Sequence, residues 1–486
     1  MAGSKTAARR ALILVENLSV PFDRRVWQES LALRDAGWEV HVICPQGTRR
    51  DTEPEAFLDG VHILRYPLGA AVGGPLGYLR EYGTALWHTW RLARRVGPVD
   101  VVHACNPPDL FFLLARRFKR RGTRFVFDQH DLVPELYLSR FGRGKDLLYR
   151  AVCWLERRTY RAADVVIATN DSYRRAAIGR GGKRPEEVFV VRSAPVTERF
   201  HEVPPDPSLR GGKPHLLCYL GVMGPQDGVD YALRSLARLR DEVGRTDWHA
   251  VFVGSGDTFE AMLALRDRLG LRGAVDFTGR IPDRDLLRVL STADICLSPD
   301  PLNPLNDVST MNKIMEYMAM SRPIVSFDLR EARVSAGEAA LYAPANEESE
   351  FAKLIAVLLD DPELRHRMGE IGKARVAGAL SWAHSRVALV AAYDAALRGR
   401  PGAGVAAPRG VVPAQPGQRP IDQQDGQIAG GVDRADPPPG HLGDQSPQPQ
   451  PALGGTATEL GELPVAAAHP DPAVQVGPDG SRRPDH

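Results

Sequence analysis

Short apolar runs recur along the first four hundred positions, separated by stretches whose apolar residues return every three to four places. The runs at 11–16, 39–44, 61–66, 99–104, 124–128, 163–168 and 187–192 are apolar without alternation, which predicts parallel strands buried on both faces. The helical period lies between them, notably around 25–36, 76–95, 109–120 and 144–162. The pattern breaks at Pro195, Pro204, Pro205 and Pro207, with Gly211-Gly212 following, and then restarts. Strands are expected near 215–221, 249–254, 274–278, 294–298, 323–327 and 340–343. Helices are expected near 229–243, 257–269, 283–292, 311–320, 348–359, 362–374 and 381–398. This alternation predicts an α/β protein of two doubly wound Rossmann-like domains, residues 1–200 and 201–380, facing a central cleft. Ligands on such sheets sit beyond the carboxyl ends of the strands, so the cleft is the expected site. From 401 to 486 the chain is rich in Pro, Gly and Gln and has no aromatic residue. Such a tail buries too little surface to offset its ordering entropy, and disorder is expected.

The chemistry concentrates at strand ends. In Asp307–Ala319, a helical turn of about 100° per residue puts Met311, Ile314, Met315 and Met318 on one face and Asn312, Lys313 and Glu316 on the other. Ser309 and Thr310 suit the cap, leaving free N–H groups at the helix start. A cation, a carboxylate and a positive helix end together suit a phosphate joined to a polyol. A buried helix with a solvated edge is the plainer alternative. The turn beginning at Gly221 and the Gly254-Ser255-Gly256 turn each follow an apolar run, where glycine lets the backbone approach a ligand. A simple tight turn is the plainer explanation of the second. In the first half, His130 follows the run 124–128 and His103 closes the run 99–104. Arg24 and Arg25 open the helix after the first strand and suit an anionic group, although a salt bridge with Asp23 or Glu29 also accounts for them.

Glu316-Tyr317-Met318-Ala319 leading into Pro323-Ile324-Val325 resembles the donor-site helix and following strand of family 4-like glycosyltransferases of GT-B fold, in the subgroup with an Asn-Lys-x-x-Glu-Tyr-Met helix. The resemblance implies that Glu316 holds the ribose of a nucleotide-diphosphate sugar while N–H groups from Ser309 to Lys313 face its diphosphate and sugar. It implies base contacts at Arg280 and Ile281, His130 near the reacting sugar, transfer to a hydroxyl with retention, and no metal or other cofactor in the site. A last helix, 381–400, is then expected to pack back on the first domain. Two departures stand out. Val222 and Asp227 replace an arginine and a lysine that many relatives direct at the diphosphate, so Lys313 is expected to supply that charge. Val308 stands where relatives often have a further glutamate, with Asp307 one residue off register. A nucleotide-sugar epimerase and a non-catalytic sugar-nucleotide-binding protein are the alternatives, separable by assays for transfer, epimerisation and binding alone.

Charge adds one asymmetry. Residues 1–200 carry 33 Lys/Arg against 22 Asp/Glu, whereas 201–400 carry 24 against 28. A basic first half suits an anionic partner such as a lipid-linked acceptor or an inner-leaflet membrane surface, and helices mixing Trp87, Trp90 and Trp154 with arginines point the same way, although ordinary solvated helix faces are the plainer explanation of any single stretch. A part in surface polysaccharide or glycolipid synthesis is the role expected from that, and nothing points to nucleic acid. Five widely spaced cysteines without a CxxC read as buried thiols in a reducing cytoplasm. The basic start followed by five apolar residues is too short a core for a signal peptide, and no apolar run is long enough to span a bilayer.

Overall fold

The computed structural model describes residues 8–47, 50–68, 74–141, 144–196 and 199–398. The expected 401–486 tail lies outside the described residues. Eight strands build the first sheet: β1 (Arg10–Leu14), β2 (Glu39–Pro45), β3 (Glu55–Leu58), β4 (Val61–Tyr66), β5 (Val101–Cys105), β6 (Arg124–Gln129), β7 (Val165–Ala168) and β8 (Val188–Val190). Their order is β3-β4-β2-β1-β5-β6-β7-β8, parallel except for β3, which runs antiparallel at the edge. Six parallel strands build the second: β9 (His215–Leu220), β10 (Trp248–Val253), β11 (Val275–Gly279), β12 (Ile295–Ser298), β13 (Ile324–Phe327) and β14 (Ala340–Ala343), in the order β11-β10-β9-β12-β13-β14. Each sheet reverses its winding once, between β1 and β5 and between β9 and β12. Those two points are where a ligand can enter past the strand ends.

The first-half helices are α1 (Arg24–Asp35), α2 (Gly74–Val96), α3 (Phe112–Lys119), α4 (Val133–Phe141), α5 (Leu147–Ala162) and α6 (Asp171–Gly179). Those of the second half are α7 (Val229–Asp241), α8 (Phe259–Arg268), α9 (Asp283–Thr292), α10 (Asn312–Ala319), α11 (Arg330–Ala336), α12 (Glu348–Asp360), α13 (Pro362–Ala377) and α14 (Trp382–Leu397). One face of the first sheet packs on α2, α3, α5 and α6 through residues such as Leu92, Leu114, Tyr160 and Ala177. The other face packs on α1 and on α14, which brings Leu389, Ala392, Tyr393 and Leu397 back into the first core. β1 is fully enclosed from Ala11 to Leu14, which is why its sequence shows an apolar run and no alternation. Strand β3 has no such signal: Glu55, Phe57 and Leu58 are exposed, so it reads as loop until β4 pairs with it.

Candidate active site

The second sheet ends in a row of interlocked glycines. Gly221 donates to Val253 O at 3.0 Å, and Gly254 donates to Gly279 O at 3.0 Å. Gly254 has φ +137°, and a Cβ there would lie 1.8 Å from Gly221 O, so only glycine fits. Arg280, just after Gly279, is exposed, and Ile281 packs against the core. In the turn from Gly221, Val222 is exposed, whereas the Asp227 carboxylate folds back to accept from Gly224 N at 2.8 Å. Burial pushes Asp227 up to about 6. The turn is therefore stabilised from within and offers no side-chain cation.

The donor-helix segment differs from its expected form in two ways. Ser309 and Thr310 do not cap α10; the N-cap is Met311, with no side-chain hydrogen bond. Ser309 Oγ instead lies 2.9 Å from the Tyr173 hydroxyl, and Thr310 Oγ1 accepts from Asn170 Nδ2 at 3.0 Å, so both hydroxyls reach across to the first half. The helix start is consequently free of any capping side chain, and a positive end is left open to an anion. The second correction concerns Lys313, expected on the polar edge with Asn312 and Glu316. Asn312 is exposed, but Lys313 is 8% exposed, and its ammonium lies 2.7 Å from Asp300 and 5.0 Å from the Tyr219 ring centre. Burial opposes its charge, yet Asp300, Tyr219 and Asp227 outweigh that and hold it protonated. Three residues of helix separate Lys313 and Glu316 by about 60°, enough to turn the lysine into the crevice between β9 and β12. Its charge is spent largely on Asp300, itself buried at the end of β12.

Glu316 does face the first half. Its carboxylate accepts from Arg24 Nη1 at 2.9 Å, with the glutamate side chain mostly covered and the arginine half exposed. Burial raises the Glu316 pKa, and Arg24 offsets part of that rise. Arg24, read as a phosphate contact, thus stands at the cleft with a carboxylate partner. Arg25 is different: its side chain is mostly covered and donates to both Asp128 oxygens, at 3.2 and 2.8 Å, to Val191 O at 2.8 Å, and pairs with Glu29 at 3.1 Å. No hydrogen-bonding edge of it is left for an anion. The ion pair with Glu29, the plainer reading of this arginine, is the one observed.

Asp128, at the end of β6, organises the first-half site. His130 Nε2 lies 2.6 Å from its Oδ2, and the Asn106 side chain accepts from the His130 and Asp131 amides at 2.7 and 3.1 Å. Burial alone would raise Asp128, but Arg25 and His130 pull it well below the ordinary carboxylate range. Burial works against the His130 cation, and Asp128 overcomes it, so this imidazole is raised. It is an oriented hydrogen-bond donor at a strand end. His103 does not join it at a surface: it is fully enclosed, with Nδ1 2.9 Å from the Tyr393 hydroxyl of α14. That burial removes it as an acceptor contact and gives it the task of tying α14 to the sheet. Ligand atoms of His103, Cys105 and Asp128 cluster as they would around a metal. Arg25 already engages both Asp128 oxygens, however, so a cation there would meet a fixed positive charge.

Several residues here carry no motif. Asn170 caps α6 through Tyr173 N and also donates to Val308 O at 2.9 Å; the cap was readable from Asn170 before a helical run, the bridge to Val308 was not. Ser172 donates to Glu331 at 2.6 Å, again between the halves. Asp307 accepts from Arg330 N at 2.9 Å and so holds the start of α11. Glu16, just past β1, is 4% exposed, its Oε1 has no hydrogen-bond partner among the described residues, and burial followed by Glu81 pushes it up to about 8.

Two family models match the chain. "Glycosyl transferase 4-like domain" matches residues 23–194, and "Glycosyl transferases group 1" matches 214–361. The α-D-kanosaminyltransferase of Streptomyces kanamyceticus is 28% identical over 370 residues, spanning 71% of this chain and 92% of that protein. A D-inositol 3-phosphate glycosyltransferase of Nocardia farcinica is 28% identical over 197 residues, spanning 39% and 42%. Among solved structures, a sucrose-phosphate synthase from Thermosynechococcus elongatus superposes with a TM-score of 0.66 at 16% identity, over 79% of this chain and 98% of the other. Anabaena HepE in complex with UDP-glucose gives 0.58 at 14%, over 79% and 99%. With one model on each half and the two doubly wound sheets they describe, the chain is a glycosyltransferase of GT-B fold, its first half 4-like and its second half of group 1.

Proposed function

We propose that the protein transfers a sugar from a nucleotide-diphosphate donor to a hydroxyl acceptor, with retention at the anomeric carbon. The observation that carries this reading is Glu316, one turn into a helix whose start is uncapped, and directed at the first half, where Arg24 meets it at 2.9 Å. The carboxylate suits two ribose hydroxyls, and the open end of α10 suits the diphosphate beside them. The turns at Gly221 and Gly254 give the donor close backbone approach, and Arg280 and Ile281 flank the base. Because Lys313 is engaged by Asp300, the main stabilisation of the leaving diphosphate comes from helix amides, with the lysine contributing through the floor of the site.

The bond from the anomeric carbon to the diphosphate oxygen breaks, a bond to the acceptor oxygen forms on the same face, and the acceptor proton passes to the departing diphosphate. His130, oriented by Asp128, donates a hydrogen bond to the transferred sugar. Domain closure excludes water and limits donor hydrolysis. The basic first half supports an anionic, lipid-linked acceptor of surface polysaccharide or glycolipid synthesis at the cytoplasmic side of a membrane. Anabaena HepE, a solved structure of this fold, is in complex with UDP-glucose, which supports a nucleotide sugar as donor.

A panel of nucleotide sugars in a thermal-shift screen, followed by transfer assays with anomer assignment by NMR, tests the proposal. One donor should raise the unfolding midpoint and yield a retained product. Donor epimerised without transfer would replace the reading with an epimerase, and binding without turnover would leave a binding protein.

A further inference from the structure

Helices α2, α3 and α5 cover the same face of the first sheet, away from α1 and α14, and their outer surfaces share one unusual composition. Trp87 on α2, Leu113 on α3, and Leu147, Leu148 and Trp154 on α5 are all exposed, with Leu147 at 80% and Trp154 at 52%. Three arginines stack on tryptophans there: Arg91 on Trp87, Arg94 on Trp90 and Arg158 on Trp154, at 5.2, 4.9 and 4.9 Å. On α5, a turn of about 100° per residue gathers Leu147, Arg150, Trp154, Arg157, Arg158 and Arg161 into one outward stripe. The buried side of the same helix carries Glu156, Thr159 and Tyr160.

Between α3 and α5 this stripe borders a cavity lined by Arg116, Lys119, Arg120, Arg158 and Arg161. A second depression, shared through Arg161, includes Arg157 and Arg180. Lys119 pairs with Asp164 and Arg180 with Glu135 and Glu156, but Arg116, Arg120, Arg158 and Arg161 have no carboxylate in ion-pair range among the described residues. Four uncompensated guanidinium groups around two adjoining hollows make a strong positive field.

We propose that this face docks on an anionic lipid bilayer, with Leu147, Leu148 and Trp154 entering the interface and Arg116, Arg120, Arg158 and Arg161 receiving lipid phosphates in the two hollows. Charge complementarity selects the occupant, and the apolar ridge distinguishes a bilayer from a soluble polyanion, which offers nothing for exposed leucines. Arginine stacked on tryptophan suits the headgroup level, where one partner is apolar and the other is solvated. The crossover also has a direction. α5 returns toward the start of β7, so its Leu147 end lies at the strand-end side where the site is, and its Arg161 end lies farther from it. Docked this way, the cleft edge of the first half lies against the membrane. The inference rests on the geometry of the first half and not on the donor reading, so either can fail alone.

The test uses the full chain with vesicles of phosphatidylglycerol and phosphatidylcholine, and with phosphatidylcholine alone, at low and physiological salt. Co-sedimentation is expected with the anionic vesicles only. Arg158→Glu with Arg161→Glu should abolish it, since each surface cation contributes about fivefold and reversal removes it twice over. Trp154→Phe should retain binding but reduce the blue shift of emission on vesicle addition, whereas Leu147→Asp should weaken binding severalfold. Arg367→Glu, exposed on α13, is the control for general charge. Circular dichroism and thermal unfolding check that each variant is folded. Absence of binding at low salt overturns the proposal. So does equal loss with Arg367→Glu, or equally tight binding of an RNA with Leu147→Asp leaving vesicle affinity unchanged.

Discussion

Replacing Glu316 by glutamine tests the donor site at its most informative atom. The variant keeps the volume and one acceptor oxygen but removes the charge. Removing a charged partner of a hydrogen bond costs roughly 1.5–3 kcal/mol, and two ribose hydroxyls share this carboxylate in the proposed pose. A loss of about 2–3 kcal/mol corresponds to a fall of roughly 30- to 150-fold in kcat/KM. Folding should change far less. Among the described residues the cation in ion-pair range of Glu316 is Arg24, whose side chain is 48% exposed, and a pair of that kind is worth about 0–1 kcal/mol. Burial has already raised the Glu316 pKa, so neutralising the group also removes a desolvation penalty. Steady-state transfer with the donor found in the screen gives kcat/KM, calorimetry gives donor affinity, and a thermal scan gives stability. Arg24→Ala completes the pair: if Arg24 only occupies Glu316 in the absence of donor, its loss should tighten donor binding by up to about fivefold. Unchanged kcat/KM and donor affinity in Glu316→Gln would refute the ribose assignment.

Lys313→Met should lower stability by roughly 3–5 kcal/mol, because it leaves the buried Asp300 charge with the Ser298 hydroxyl and no cation in ion-pair range among the described residues; adding Asp300→Asn should recover most of that loss in denaturant melts without restoring turnover. Asp128→Asn strips the mostly covered Arg25 of its main partner, so a loss of about 3 kcal/mol and a lower His130 pKa, followed by ring NMR titration, are expected. Glu16 carries a folded-state pKa of about 8 against 4.5, so the folded chain holds this proton more tightly than the unfolded one. Its effect is therefore a stability loss that develops as pH rises from about 4.5 to 8, on the order of 5 kcal/mol in all. The stability of Glu16→Gln relative to the parent chain should climb across that window in denaturant titrations, and a flat difference would show that Glu16 is solvated.

The strands of both sheets and their order of appearance were legible because strands buried on both faces must be apolar without interruption, as Ala11–Leu14 and Leu216–Tyr219 show. The strand-end positions of Gly221, Gly254, Arg280 and His130 followed from the same periodicity, and Glu316 from its helix and the motif around it. The break expected between the halves rests on the sequence alone, since its prolines and glycines disfavour long helices and strands. What tertiary structure decided was partnership. Lys313 has the same composition whether it faces a ligand or Asp300, and only the crevice between β9 and β12 chooses. Ser309 and Thr310 have cap chemistry, but Tyr173 and Asn170, more than 130 residues away in the chain, take their hydroxyls. His103 and Arg25 look available until α14 and Asp128 enclose them. Periodicity reports which side of an element is buried; which charge meets which across a long stretch of chain is a property of the packed molecule, because electrostatic partners need proximity in space and none in sequence.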